Sequence, residues 1–284
     1  MIGFLLASWL VSSGAALPSQ TPALPAIEIP AADVVQELEL NDGSSIIGRV
    51  ASIGAGSFVF RTTSGTEMTV EIITVRSLKP VSGRIVHGQL WREDPNTTRL
   101  FFGPTGRSLK KGEAYFGVYE VLLPFVQVGI TDRLSIGAGT PLVFGDFSHP
   151  VWVTPKFQVM RQGNTSASIG VMHFFNVDHE SLGIGYAALT QGGTDSALTI
   201  GVGYAYSRGA EEDHGSSVVM IGGEHRLSRR IKFITENYAF KDGVLGSAGV
   251  RFFGEKLSAD FGLVLVPFDE GIGVGPMVNI VRKF

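Results

Sequence analysis

Bulky and small side chains alternate along most of this chain, and the stretch TIGVGYAYS at 199–207 shows the pattern plainly. Ile200, Val202, Tyr204 and Tyr206 fall on one side, while Thr199, Gly201, Gly203, Ala205 and Ser207 fall on the other. A period of two belongs to a strand, because successive side chains leave opposite faces. The pattern predicts strands at 113–122, 124–131, 133–142, 150–161, 165–176, 180–190, 194–207, 216–227, 229–239, 243–253, 256–266 and 272–284. The thin face is the informative one. In 256–266, Leu257, Ala259, Phe261, Leu263 and Leu265 oppose Ser258, Asp260, Gly262, Val264 and Val266. In 133–142, Leu134, Ile136 and Ala138 oppose Ser135, Gly137 and Gly139. A soluble sandwich would need bulk on its buried face to interdigitate. A membrane barrel reverses that demand, setting bulk against lipid and small or polar groups against the lumen. The pattern therefore predicts an all-β protein, a transmembrane antiparallel up-and-down barrel of about twelve strands at 113–284.

Connections fit that topology. Thr131-Asp132-Arg133, Ser228-Arg229 and Gly254-Glu255 are tight, whereas RGAEEDHGS at 208–216 is long and polar. Up-and-down barrels in outer membranes have short periplasmic turns and longer outer loops. Upstream, 33–82 reads as a separate small β-domain, with short strands at 35–40, 45–52, 57–63, 66–71 and 72–78. Turn signals at Asn41-Asp42-Gly43, Gly54-Ala55-Gly56 and Ser64-Gly65 divide them. Five short strands in so little chain predict a small closed barrel. Residues 83–112 form a connecting segment whose Pro95, Pro104 and several glycines forbid a single regular element. Residues 18–32 are a Pro/Ala-rich linker, and 1–17, MIGFLLASWLVSSGAAL, read as a signal peptide cleaved after Ala15 or Ala16. That leader lacks the usual Lys or Arg near Met1, and a buried N-terminal helix is the alternative.

Composition supports dispersal rather than a helical span. Hydrophobic residues make up 44% and charged residues 17% of the 284 positions, yet beyond the N-terminus no apolar run nears the roughly 18 residues of a membrane helix. A net charge of −3 gives no electrostatic case for nucleic acid. The chain has no cysteine, which removes disulfides and thiolate chemistry. His87, His149, His173, His179, His214 and His225 are scattered without ligand spacing, so neither a metal nor any other cofactor is expected. DHESLG at 178–183 holds residue types used by hydrolases, but adjacency in sequence does not make a triad. No enzyme activity is expected.

Alternation places Glu224, Arg226, Lys232, Glu236, Arg251 and Asp260 in the lumen as pore candidates. Charges in a narrow barrel are costly unless paired. They form either a salt-bridged ladder that fills the lumen or a polar constriction that selects solutes, and 90–112 or the loops would plug it. Arg107, Lys110 and Lys111 precede the first barrel strand and read as a solvated turn, with Tyr115 and Phe116 as interfacial aromatics. The last strand, GPMVNIVRKF, ends on Phe284, with Ile280 and Val278 on the same face.

A terminal aromatic on an alternating strand resembles the assembly signal of bacterial outer-membrane barrels, which implies the barrel assembly machinery as a partner. The segments LWREDPNTTRLFFGPTGRSLKKGEAYF, GITDRLSIGAGTPL, GGEHRLSRRIKFITEN and GVRFFGEKLSADF carry a wider resemblance, over about 87–284, to uncharacterised bacterial outer-membrane β-barrel proteins. In 35–80, L.DGS..G.V and F.T..G....V resemble SH3-like and Sm-like small barrels. The resemblances imply an outer-membrane barrel in contact with lipid, with the N-terminal domain in the periplasm beside a protein or cell-wall partner. The expected role is a narrow passive channel for small solutes or a structural envelope component. A lipid-modifying barrel enzyme and a secreted soluble β-sandwich are the alternatives.

Overall fold

The computed structural model describes residues 34–142, 150–177, 180–208, 214–241, 243–268 and 271–284. The leader at 1–17, the linker at 18–32, His149, His179 and most of the 208–216 loop lie outside the described residues. Two compact units divide the chain between Pro80 and Val81.

The N-terminal unit contains β1 (Gln36–Leu40), β2 (Ser45–Ile53), β3 (Ser57–Thr62), β4 (Glu67–Glu71) and β5 (Val75–Pro80). They form one antiparallel sheet in the order β4-β3-β2-β1-β5. Its two ends, β4 and β5, are not paired with each other, so the sheet is open where a closed ring was expected. The strand expected at 72–78 begins as a 3-10 turn at Ile72–Thr74, and the strand proper starts only at Val75. Leu38, Val50, Phe58, Phe60, Val70, Val75 and Leu78, from all five strands, pack into its core, with a register shift opposite Glu39–Leu40 turning both Val75 and Leu78 inward.

The second unit opens with a hairpin, β6 (Gly83–Val86) and β7 (Gln89–Arg92), inside the segment read as connecting. The barrel follows: β8 (Ala114–Tyr119), β9 (Leu123–Gly129), β10 (Leu134–Gly139), β11 (Val151–Gln162), β12 (Thr165–Val177), β13 (Glu180–Gly192), β14 (Ser196–Arg208), β15 (His214–Ser228), β16 (Ile231–Phe240), β17 (Gly243–Phe253), β18 (Leu257–Phe268) and β19 (Gly271–Lys283). These twelve pair antiparallel with their chain neighbours, and β19 pairs with β8 to close the ring. Closure removes the edges that would leave backbone groups unpaired. The seam is finished by Phe284 N donating to Ala114 O at 2.8 Å.

Alternation sorts the two faces as the sequence pattern predicts. Ile200, Val202, Tyr204, Phe261, Leu263 and Ile136 are half-exposed on the outside, while Thr199, Ser258, Asp260 and Ser135 are buried inside. Both chain ends of the barrel and the tight connections at 130–133, 163–164, 193–195, 229–230 and 254–256 lie at one end, here the termini end. The strand ends on either side of the two longest gaps, Gly139 and Val151, and Arg208 and His214, lie at the opposite, far end, with the tight turn at 120–122.

Candidate functional site in the barrel lumen

The lumen is occupied by the chain that precedes the barrel. Residues 94–109 run inside it, folded at their middle into a tight reversal in which Leu100 N donates to Gly103 O and Thr105 N donates to Thr98 O, while Lys110 and Lys111 lie exposed in a turn at the termini end. Leu100 and Phe101 at its tip are fully buried, packed with Ile234 and Met277. The thin lumen face explains how they fit. A Cβ on Gly222 would run into Leu100, and one on Gly262 would lie 3.3 Å from the Phe101 ring. Glycines that read as wall curvature are therefore also room for this plug.

Charge completes the fit. Cross-strand register sets Arg226 opposite Lys232, Lys232 opposite Arg251, and Arg251 opposite Asp260. Three neighbouring cations in one row repel unless anions stand between them. Asp94 of the plug supplies one, accepting Lys232 Nζ at 2.8 Å and Arg251 Nη1 at 3.1 Å. Glu224 takes Lys232 Nζ at 2.8 Å, and Asp260 receives Arg251 through Nε at 2.6 Å and Nη2 at 2.9 Å. The Arg251 guanidinium also donates to the carbonyls of Asn96 and Leu100. Lys232 and Arg251 are 0% exposed, so these contacts stand in place of water. Burial pushes the Asp94 carboxyl up, but Lys232 and Arg251 outweigh it and hold the group below the usual carboxylate range.

The six lumen residues do not form one cluster. Glu224, Lys232, Arg251 and Asp260 belong to the network around Asp94. Arg226 turns to Asp195 at 2.8 Å and stacks between the Trp91 and Phe253 rings at the termini end. Glu236 sits further up, where its carboxylate accepts Phe102 N and Gly103 N at 3.0 Å each and the Tyr238 hydroxyl at 2.6 Å. Glu236 is the clasp on the plug's tip.

Two readings need correction. Arg107 is not in a solvated turn but reaches into the lumen, paired with Glu224 and donating to Gly193 O at 2.7 Å. Tyr115 faces inward rather than the interface. Its hydroxyl accepts Arg99 Nε at 2.9 Å and donates to Gln127 at 2.8 Å. Phe116 does lie exposed outside, as Phe284 does beneath the Arg282 guanidinium. Asp94, Arg99 and Lys156, which donates to Thr98 O at 3.0 Å, escaped the sequence reading although all are buried here. The row of three cations is the signal that another anion was needed. On the outer surface Ser196 Oγ lies 3.1 Å from His225 Nδ1, with both carboxylate oxygens of the neighbouring Asp195 taken by Arg84 and Arg226.

Above the plug the lumen changes character. A cavity of about 560 Å³ lies between the tip (Phe102, Gly103 and Pro104) and the far end of the strands. Met172, Ile184, Val218, Met220, Leu245 and Met277 give it an almost wholly carbon wall, broken by the Tyr186 and Tyr238 hydroxyls and by Glu120 and Glu236. Its size is that of a small-molecule pocket.

No family model matches the sequence, and no curated protein matches it. Among solved structures the chain is similar to the NanC porin, with 8% identity, 61% of this chain and 98% of that one covered, and a TM-score of 0.44. It is similar to a loop L8 deletion mutant of OmpT, an outer membrane protein of Vibrio cholerae, with 11% identity, 88% and 96% covered, and a TM-score of 0.37. The Ralstonia pickettii toluene transporter TbuX shares 12% identity over 60% of this chain and 67% of that one, with a TM-score of 0.28.

Proposed function

We propose that residues 81–284 form an outer-membrane β-barrel that binds small, uncharged apolar molecules in the far-end chamber, its other end sealed by residues 94–109. The chamber carries this reading: an almost wholly apolar space of about 560 Å³, bounded below by a fixed plug. The membrane placement rests on the outward band of half-exposed Ile, Val, Leu and Phe, and on the two longest gaps between barrel strands, after Gly139 and after Arg208, both falling at the far end. The termini end then faces the periplasm, with the N-terminal sheet there as an SH3-like module for a protein or cell-wall partner. Phe284 serves as the signal to the assembly machinery.

Naphthalene is a suitable probe. Barrel refolded into lipid nanodiscs is expected to bind it saturably, and Gly201→Phe, which projects a ring into the chamber, is expected to weaken binding at least tenfold while heat-modifiable migration persists. Naphthalene uptake no greater than that of empty nanodiscs would sink the reading.

A passive channel for polar solutes is the second reading, favoured by the buried polar row of the termini end. It needs residues 94–109 to leave the lumen. Stepwise conductance of the purified protein in planar bilayers would support it, and a silent bilayer would remove it.

A further inference from the structure

The barrel wall is uneven. β8, β9 and β10 have 6, 7 and 6 residues, whereas β12 to β15 have 13 to 15 and β19 has 13. Register makes the consequence concrete. β19 pairs with β8 from Asn279–Tyr119 to Lys283–Tyr115, and the last bond upward is Glu120 N to Val278 O at 2.8 Å. Above it, Gly271 to Pro276 keep their pairing to β18 but have no strand on the other side among the described residues. Six residues of extended strand span roughly 20 Å.

This edge looks built. Residues two apart on a strand direct their backbone groups to the same side, so Pro276 faces the gap with Val278, and its ring removes one donor that would otherwise stand unpaired there. The low rim opposite is a tight turn in which Glu120 and the β-branched Val121 both take left-handed backbone, at φ of 49° and 62°. Leu122 N donates to Tyr119 O within this turn, and Leu142 N donates to Leu122 O, fixing the rim at that height. Apolar side chains stand on both sides of the gap, with Val121, Leu122 and Leu142 exposed on the rim beside Glu120, and Ile272 and Val274 exposed along the edge. Directly behind it, Glu120 and Met277 line the chamber.

We propose that this gap is a lateral doorway through which a hydrocarbon-like molecule dissolved in the bilayer passes sideways into the chamber, without crossing water. The inference rests on the chamber binding reading for its ligand, but the doorway itself has an independent test.

The chain's lack of cysteine makes that test clean. Val218→Cys puts one thiol on the chamber wall, to be alkylated by a long-chain alkyl maleimide held in the bilayer of a nanodisc. Arginines at the doorway, Leu122→Arg with Val274→Arg, are expected to slow that alkylation at least tenfold, with heat-modifiable migration unchanged. The same arginine pair in the cysteine-free chain is expected to slow naphthalene uptake and release together and leave equilibrium binding unaltered. Alkylation at the same rate with and without the arginines overturns the doorway, whatever naphthalene does. Absence of naphthalene binding with arginine-sensitive alkylation would sink the chamber's ligand and leave the doorway standing. Should the paired arginines prevent folding, Val274→Asn with Leu122→Asn repeats the measurement, and an unchanged rate there counts equally against the doorway.

Discussion

The two ends of the lumen solve one problem in opposite ways. At the termini end, charged side chains fill the space, and each buried charge finds an opposite charge or a carbonyl on the plug, as Lys232 and Arg251 do on Asp94. At the far end, carbon lines an open chamber and charges give way to Met172, Val218 and Met220. Both interiors are reached by the same alternation on the strands of one barrel. The difference teaches that a narrow barrel does not fix its own lumen chemistry. A segment from elsewhere in the chain decides which part is solid and which part is left vacant.

The sharpest way to break the contrast is to disarm the solid end. Asp94→Ala leaves Lys232 and Arg251 adjacent with one anion fewer, and removal of one member of a buried ionic set costs about 3–5 kcal/mol. Thermal unfolding followed by heat-modifiable migration should shift strongly downward, and an unchanged midpoint would mean that the network does not hold the plug. Glu236→Gln acts at the boundary, where a neutral amide replaces the acceptor of Phe102 N and Gly103 N. A loss of about 1.5–3 kcal/mol is expected for hydrogen bonds to a charged group. Faster hydrogen exchange confined to those two amides would register it, and exchange as slow as in the parent would deny the clasp. Val218→Ala at the vacant end should cost least, below about 1.5 kcal/mol, because it trims a wall that already borders open space. A larger loss would show that the chamber is packed in solution.

Sequence reading reached the wall and offered 90–112 as one candidate plug, but not the contacts that hold that segment in place. All twelve barrel strands are recoverable from alternation, because outward-facing bulk and lumen-facing smallness recur along them. The six lumen charges are legible for the same reason. Residues 94–109 have no period to read, since what holds them is a set of single contacts: Asp94 to two cations, Gly106 N to Thr190 Oγ1, Thr105 O to Ser168. Arg107 was misplaced because its neighbours Lys110 and Lys111 suggest a wet turn, and nothing local announces Glu224 as its partner. The doorway was hidden too. Strand lengths of 6 and 7 differ from the predicted spans at 113–122 and 124–131 by only a few residues, yet those residues decide whether the wall rises to its neighbours' height.

The plug's place in the chain has a temporal meaning. Residues 94–109 are made before β8, and β19, which completes the ring and donates Asn279 Nδ2 to Phe101 O, comes last. Both legs of the segment pass through the termini mouth, where Arg92 meets Glu255 and Arg107 donates to Gly193 O, so the plug can be seated from that mouth as one finger. Lys232 of β16 and Arg251 of β17 gain Asp94 only once that finger is home.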